Sequence, residues 1–240
     1  MTTFPIVLEQ PHRPPQRRYE QRVPALSATD VLRRLLNIAI AFVALVLVLP
    51  LMLIIAVAVK LSSPGPVFYT QTRVGLNRRR LLPPGSRYRE VDCGGKPFTM
   101  YKFRTMRAND GSGSHAQVWA TPDDPRITRV GKLLRLYRLD ELPQLVNVLL
   151  GDMDLVGPRP EQPAIFARLR EVIPGYQARQ RVRPGITGWA QINLHYDSSI
   201  DDVRRKLAFD LEYIGRRSLT EDLRIMLRTL PVVAGRFGGW

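Results

Sequence analysis

The sequence predicts an α+β fold, mainly helical with a small β-hairpin or sheet, held in a membrane near its N-terminus. Three observations carry that expectation. Residues 35–59 form a run of 25 residues without a charge. Two short segments, 67–73 (VFYTQTR) and 97–103 (PFTMYKF), concentrate β-branched and aromatic side chains as strands do. Beyond residue 130, apolar residues recur every third or fourth position in several stretches, the period of a half-buried helix.

The 240 residues suffice for one domain plus an accessory segment, and 45% apolar residues exclude wholesale disorder. A single cysteine, Cys93, excludes a disulfide framework and any multi-cysteine metal site; its thiol reads as inert. His12, His115 and His195 are scattered without metal-ligand spacing. Thirty-six Lys and Arg against 21 Asp and Glu leave a net charge of +15, which admits polyphosphate ligands, nucleic acid or anionic lipid. One segment departs from this excess. Residues 140–161 hold five carboxylates and one arginine, a place where acids work among cations.

In chain order, residues 1–28 contain five prolines and clustered arginines, and read as a mobile basic tail able to touch anionic headgroups. Residues 29–61 are the membrane segment. As a helix, its uncharged run reaches about 37 Å, enough to cross a hydrocarbon core of about 30 Å. The run starts too late and is too long for a cleaved signal peptide, and it is apolar all round, unlike a small domain's core helix. Five cations (Arg17, Arg18, Arg22, Arg33, Arg34) precede it within 20 residues, and four (Lys60, Arg73, Arg78, Arg79) follow within 20. The positive-inside bias is therefore close to nil, and Pro50 removes a backbone donor past the middle of the run. These residues fit a re-entrant helix–break–helix at Leu49-Pro50, and also a spanning helix with a tolerated proline.

Ser62-Ser63-Pro64-Gly65-Pro66 stops the segment, and residues 62–240 form the remaining domain. Residues 78–95 are a basic excursion between the two strands, and 109–115 a flexible connector. Helices are expected over 130–137, over 142–150 with a stripe of Leu142, Leu145, Val146, Leu149 and Leu150, and over 161–173 before Pro174-Gly175. Val203, Leu207, Leu211 and Ile214 mark another helical face. Ser218 and Glu221 form a capping-box pattern opening a last helix with Leu219, Leu223, Met226, Leu227 and Leu230. That helix fits a membrane interface or a face packed on its own domain.

Asp140 falls where an N-cap belongs, with Pro143 inside the first turn. An ionised aspartate there, with Arg135 and Arg138 upstream, serves as a cap, a metal ligand or a nucleophile. Pro158 and Pro160 restrict the backbone on both sides of Arg159, which presents its guanidinium with little entropy left to lose on binding an anion. In Lys102-Phe103-Arg104-Thr105-Met106-Arg107, alternation puts Lys102 and Arg104 on one face, a diphosphate cradle or a solvated basic edge. The P-loop, zincin and nucleophile-elbow patterns are absent. Gly185-Ile186-Thr187-Gly188-Trp189 is glycine-spaced but lacks strand–helix context.

The strings SSPGPVFYTQTRVG, MYKFRTMR, DDPRITRVGKLLR, RLDELPQLVNVLLGDMDLVGPRPE and RPGITGWAQIN closely resemble the bacterial sugar transferases, the monotopic phosphoglycosyl transferases that start exopolysaccharide, O-antigen and related glycans. The resemblance runs from about residue 30 to 235 and implies transfer of sugar-1-phosphate from a UDP-sugar to polyprenyl phosphate, releasing UMP. It implies Asp140 as nucleophile and Glu141 as its partner, both binding Mg²⁺. Lys102, Arg104, Arg135, Arg159 between Pro158 and Pro160, and more weakly Gln191, are implied as phosphate or nucleotide contacts. It favours the re-entrant, monotopic topology, with the catalytic domain on the cytoplasmic face of the bacterial inner membrane, interfacial amphipathic helices and anionic lipid beneath. It is compatible with a homodimer and leaves no place for nucleic acid.

Two features depart from the family: Leu49-Pro50 stands where Ser-Pro is common, and the 78–95 excursion is longer than usual. Without the large members' extra helices, the chain reads as a minimal catalytic form. A membrane-tethered basic binding module also accounts for the charge, but gives the acidic segment no purpose.

Overall fold

The structure, a computed structural model, describes residues 27–77, 94–107, 124–194 and 199–234. The N-terminal tail to residue 26, most of the 78–95 excursion, Cys93, the 109–115 connector and the three histidines lie outside the described residues.

Helix α1 (Ala28–Ser62) opens on a capping box: Ser27 accepts from the Asp30 N–H, and the Asp30 carboxylate accepts from the Ser27 N–H. In place of two helices around Leu49-Pro50, the chain forms one 35-residue element with Pro50 inside it. A proline costs one intrahelical bond, and the domain packed beside the helix supports the segment through it. Arg33, Asn37, Ala41, Met52, Ile55 and Val59 are buried at helical spacing, whereas Leu35, Phe42, Leu47, Ile54 and Leu61 stay exposed. One stripe docks on the domain, and the remaining apolar surface has no cover among the described residues.

Both ends of that stripe are tied down. Near the N-terminus, Arg34 donates to the carbonyls of Val148 and Met153 and pairs with Asp154 at 3.2 Å. Arg33 pairs with Asp222 at 3.0 Å, and Asn37 Oδ1 accepts from the Leu155 N–H at 2.6 Å. Towards the C-terminus, Met52, Ile55 and Val59 pack with Phe103 and Leu134.

Strands β1 (Phe68–Val74) and β2 (Pro97–Phe103) pair antiparallel, with Tyr69 opposite Lys102, so the expected hairpin forms. Helix α2 (Arg129–Leu136) starts at Thr128, whose hydroxyl accepts from the Gly131 N–H. Helix α3 (Gln144–Leu150) ends at Gly151, whose φ of 86° is the left-handed region glycine adopts without strain. Of its expected stripe, Leu145 is buried but Leu150 is 63% exposed, and Val148 and Asn147 take the innermost places. Asn147 clips α3 to β2, accepting from the Tyr101 N–H and donating to the Thr99 carbonyl.

Two three-residue strands, β3 (Asp154–Val156) and β4 (Gly185–Thr187), pair in parallel. Helix α4 (Pro163–Val172) lies between them in sequence, followed by a 3-10 helix (Tyr176–Arg181). Helix α5 (Trp189–Asn193) follows β4 directly, so the strand–helix context read as missing around Gly185–Trp189 is present. At Gly157 the neighbouring chain is so close that a Cβ would sit 2.4 Å from the Arg183 carbonyl oxygen, which excludes any side chain.

Helix α6 (Ile200–Arg216) buries Val203 and Leu207 against Phe166 and Tyr176 as its periodicity implies. Helix α7 (Leu219–Ala234) is reached through Ser218, whose hydroxyl accepts from the Glu221 N–H. It buries Ile225 and Asp222, while Leu223, Leu227 and Leu230 are more than half exposed. Of the apolar face expected from periodicity, these three leucines point away from the domain, while Met226 packs against it.

Candidate active site

Three segments converge on one cluster. Strand β2 carries Lys102 one residue before its end, a 3-10 turn (Leu139–Glu141) carries Asp140 and Glu141, and the loop after β3 carries Arg159. Asp140 is not an N-cap, as its neighbours implied; Pro143 occupies that position for α3, and Asp140 lies within the preceding turn. Arg138 enters the turn with φ 54°, a left-handed conformation uncommon for a side-chain-bearing residue. The Glu141 N–H then donates to the Arg138 carbonyl at 3.1 Å, which closes the turn.

The two carboxylates are held differently. Glu141 Oε1 accepts from Lys102 Nζ and from Arg159 Nη2, each at 2.8 Å. Asp140 Oδ2 lies 3.8 Å from Lys102 Nζ, an ionic contact beyond hydrogen-bond length. Burial alone would push both acids up. For Glu141, the charges of Arg159 and Lys102 outweigh it and hold the carboxyl well below its ordinary value. For Asp140, burial prevails over the opposing pull of Lys102, and the Glu141 charge adds to it, so this carboxyl is raised. Lys102 is lowered by burial, which Glu141 counters. One acid is clamped and firmly ionised; its neighbour is loosely held and more basic.

Arg159 is presented by a fixed backbone. The carbonyl of Pro158 accepts from the Gly185 N–H, that of Arg159 from Arg179, that of Pro160 from Arg73, and that of Glu161 from the Val74 N–H. Four consecutive carbonyls are thus tied to β4, the 3-10 helix and β1. Arg179 is itself buried between Asp210 at 2.7 Å and the Tyr176 hydroxyl at 2.7 Å. Glu161, paired with Lys206 and Arg179, is held near pH 2 by these cations against the opposing effect of burial. Sequence reasoning missed Arg73 and Arg179. Arg73 entered only as a strand residue and a cation flanking the uncharged run, and Arg179 stands 20 residues beyond the carbonyl it holds.

The other expected contacts are placed elsewhere. Arg135 donates through Nε to the Thr105 hydroxyl at 2.9 Å, with its charge near enough to depress Asp140. Arg104 does not share a face with Lys102 towards the acids; it is buried against the end of α1. Gln191 donates to the Ile186 carbonyl, and its Oε1 is buried without a protein donor among the described residues.

Among the described residues no group of three acidic, histidine or cysteine side chains gathers as a metal cage. Asp140 and Glu141 still fit Mg²⁺, which commonly takes one or two carboxylates and completes its shell with substrate phosphates and water. Lys102 Nζ, in ionic contact with both carboxylates, shows that the pair accommodates a shared cation.

A family model described as bacterial sugar transferase matches residues 28–236. The chain is 42% identical over 207 residues to the UDP-N-acetylgalactosamine-undecaprenyl-phosphate N-acetylgalactosaminephosphotransferase of Aeromonas hydrophila, covering 86% of this chain and 44% of that protein. It is 42% identical over 206 residues to the UDP-glucose:undecaprenyl-phosphate glucose-1-phosphate transferase of Caulobacter vibrioides, covering 85% of this chain and 70% of the relative. It is 40% identical over 207 residues to the exopolysaccharide production protein PSS of Rhizobium leguminosarum bv. phaseoli, covering 83% and 94%. The chain thus spans less than half of the first of these proteins and nearly all of the last.

Proposed function

This chain belongs to the bacterial sugar transferase family, and on that premise we propose that it transfers sugar-1-phosphate from a UDP-sugar to polyprenyl phosphate, releasing UMP. The observation that carries the reading is the unequal holding of Asp140 and Glu141. A carboxylate clamped by two cations is a poor nucleophile, whereas a loosely held, more basic one at the same site can attack.

In the first step an Asp140 oxygen attacks the sugar-proximal phosphorus. The phosphoanhydride bond breaks and UMP departs with the electron pair, leaving the sugar phosphate as an acyl phosphate on Asp140. In the second step the polyprenyl phosphate oxygen attacks that phosphorus, the bond between phosphorus and the Asp140 oxygen breaks, and the Asp140 carboxylate departs with the electron pair and is restored. Lys102 and Arg159 stabilise charge on the phosphoryl oxygens, and Glu141 holds both cations in place. Mg²⁺, held by Asp140 and Glu141, would neutralise the diphosphate as a Lewis acid. The two-step route implies ping-pong kinetics.

A lipid acceptor needs a site at the headgroups, and several features support such a placement. The exposed apolar face of α1 and the exposed leucines of α7, flanked by Arg224 and Arg228, suit a membrane interface with anionic lipid. Arg34 and Val59, near opposite ends of α1, meet the same domain, which favours entry and exit on one membrane face over a full crossing. We assign that face to the cytoplasmic side of the inner membrane, where UDP-sugars occur.

The test is product identity with purified protein, Mg²⁺, a panel of UDP-sugars and polyprenyl phosphate. UMP as by-product is expected; UDP would mean glycosyl transfer and overturn the reading. The same panel identifies the sugar, since relatives named for N-acetylgalactosamine and for glucose share 42% identity with this chain.

A further inference from the structure

We infer that Arg104 is a positioning residue that sets the register between the membrane helix and the catalytic carboxylates, and so governs the step that uses the lipid acceptor. The inference rests on the two-step reading above. Arg104 is buried, and its guanidinium donates to the carbonyls of Val59 at 3.2 Å, Ser63 at 2.7 Å and Pro64. These carbonyls belong to the last turn of α1 and its exit, where a helix leaves acceptors without intrahelical donors. A guanidinium there satisfies several at once and complements the helix dipole. Its own N–H donates to the Val67 carbonyl at 2.9 Å, joining the same exit to the first strand.

The neighbours of Arg104 extend the connection in both directions. Two residues upstream, Lys102 touches Glu141 and lies near Asp140. Phe103 packs against Met52, Ile55 and Val59 of α1. Thr105 accepts from Arg135 through its hydroxyl and from the Thr128 N–H through its carbonyl, anchoring the start of α2. Four consecutive residues therefore bind the acids, the membrane helix and α2 as one unit. Arg104 is the member that grips the helix exit.

A water-soluble UDP-sugar reaches the cluster by diffusion, whatever the height of that cluster over the bilayer. Polyprenyl phosphate does not, because its phosphate is confined to the headgroup layer. Loosening the grip on α1 leaves Lys102 in place through its pairing opposite Tyr69, but lets the acids shift relative to the lipid phosphate. A misplacement of about 1 Å between reacting atoms can cost about 100-fold in rate.

The experiment separates the half-reactions in full-length protein reconstituted in nanodiscs containing anionic lipid. Arg104→Gln is expected to form the sugar-phosphate adduct and release one equivalent of UMP at a rate within about twofold of the parent, while adduct discharge by polyprenyl phosphate falls by about 10- to 100-fold. Arg104→Lys, which keeps a cationic donor under the same carbonyls, is expected to recover part of the discharge rate. If Arg104→Gln does not fold, Arg104→Lys carries the comparison alone, with discharge reduced more than adduct formation. Equal loss in both half-reactions, or no loss in discharge, overturns the inference. A parent protein that forms no adduct overturns the two-step reading instead.

Discussion

Asp140 and Glu141 adjoin in sequence yet meet opposite fates, because only Glu141 receives the charge-assisted bonds of both Lys102 and Arg159. The resulting pKa directions define a pH signature. As the proposed nucleophile Asp140 must be ionised, and burial raises its pKa, so the acid limb of donor-step activity should lie above the ordinary aspartate value of 3.8. Lys102 opposes that rise; in Lys102→Met the limb should therefore move to still higher pH, in addition to a lower plateau from the lost phosphate contact. Single-turnover UMP release across pH 4–9 in the two proteins checks this, and a limb that stays put would remove Lys102 from the electrostatics of Asp140. Linkage gives the acids opposite signs in stability. The raised Asp140 favours the folded state most at low pH, and that contribution is lost as pH rises through its folded value. Glu141 contributes above its unfolded value and loses that contribution as pH falls through its depressed one.

At the scale of elements, local chemistry was legible and distant pairing was not. The Ser218 cap, the stop at Pro174-Gly175 and the two β-branched strands are signals within a few residues, and each marks an observed boundary. Strands β3 and β4 are three residues each and form only because separate segments meet, so no periodicity announced them. Asn147 is polar within an apolar stripe, and nothing nearby revealed that it would clip α3 to β2. Arg104 looked like a phosphate ligand because alternation assigned its face; leaving β2 at Phe103, the chain turns it towards the end of α1 instead. For α1, composition marked a segment apolar enough for a membrane but left its topology open, and the proposal of entry and exit on one face rests on the docked stripe from Arg33 to Val59. With cysteines at Ser27 and Ser218 in a Cys93→Ala background, a membrane-impermeant maleimide should label both from the cytoplasmic side of vesicles. Labelling from opposite sides would mean that α1 crosses the bilayer.

Over the whole molecule, the charge separates by place. A net +15 suits the anionic membrane and the diphosphate donor proposed above, and the acidic exception at 140–161 contains the two carboxylates proposed as catalytic. The half-buried Arg73 and the buried Arg179 hold the Arg159 loop from behind, and Arg104, just after β2, holds the exit of α1. The central claim is that Asp140 carries the sugar phosphate between donor and lipid. Intact-mass measurement after mixing the protein with Mg²⁺ and its UDP-sugar, with polyprenyl phosphate withheld, tests it most directly. The account predicts a gain of one sugar phosphate per chain, mapped to Asp140, lost on adding the lipid and missing in Asp140→Asn. An unmodified parent protein that nevertheless turns over, or a normal adduct in Asp140→Asn, would contradict it.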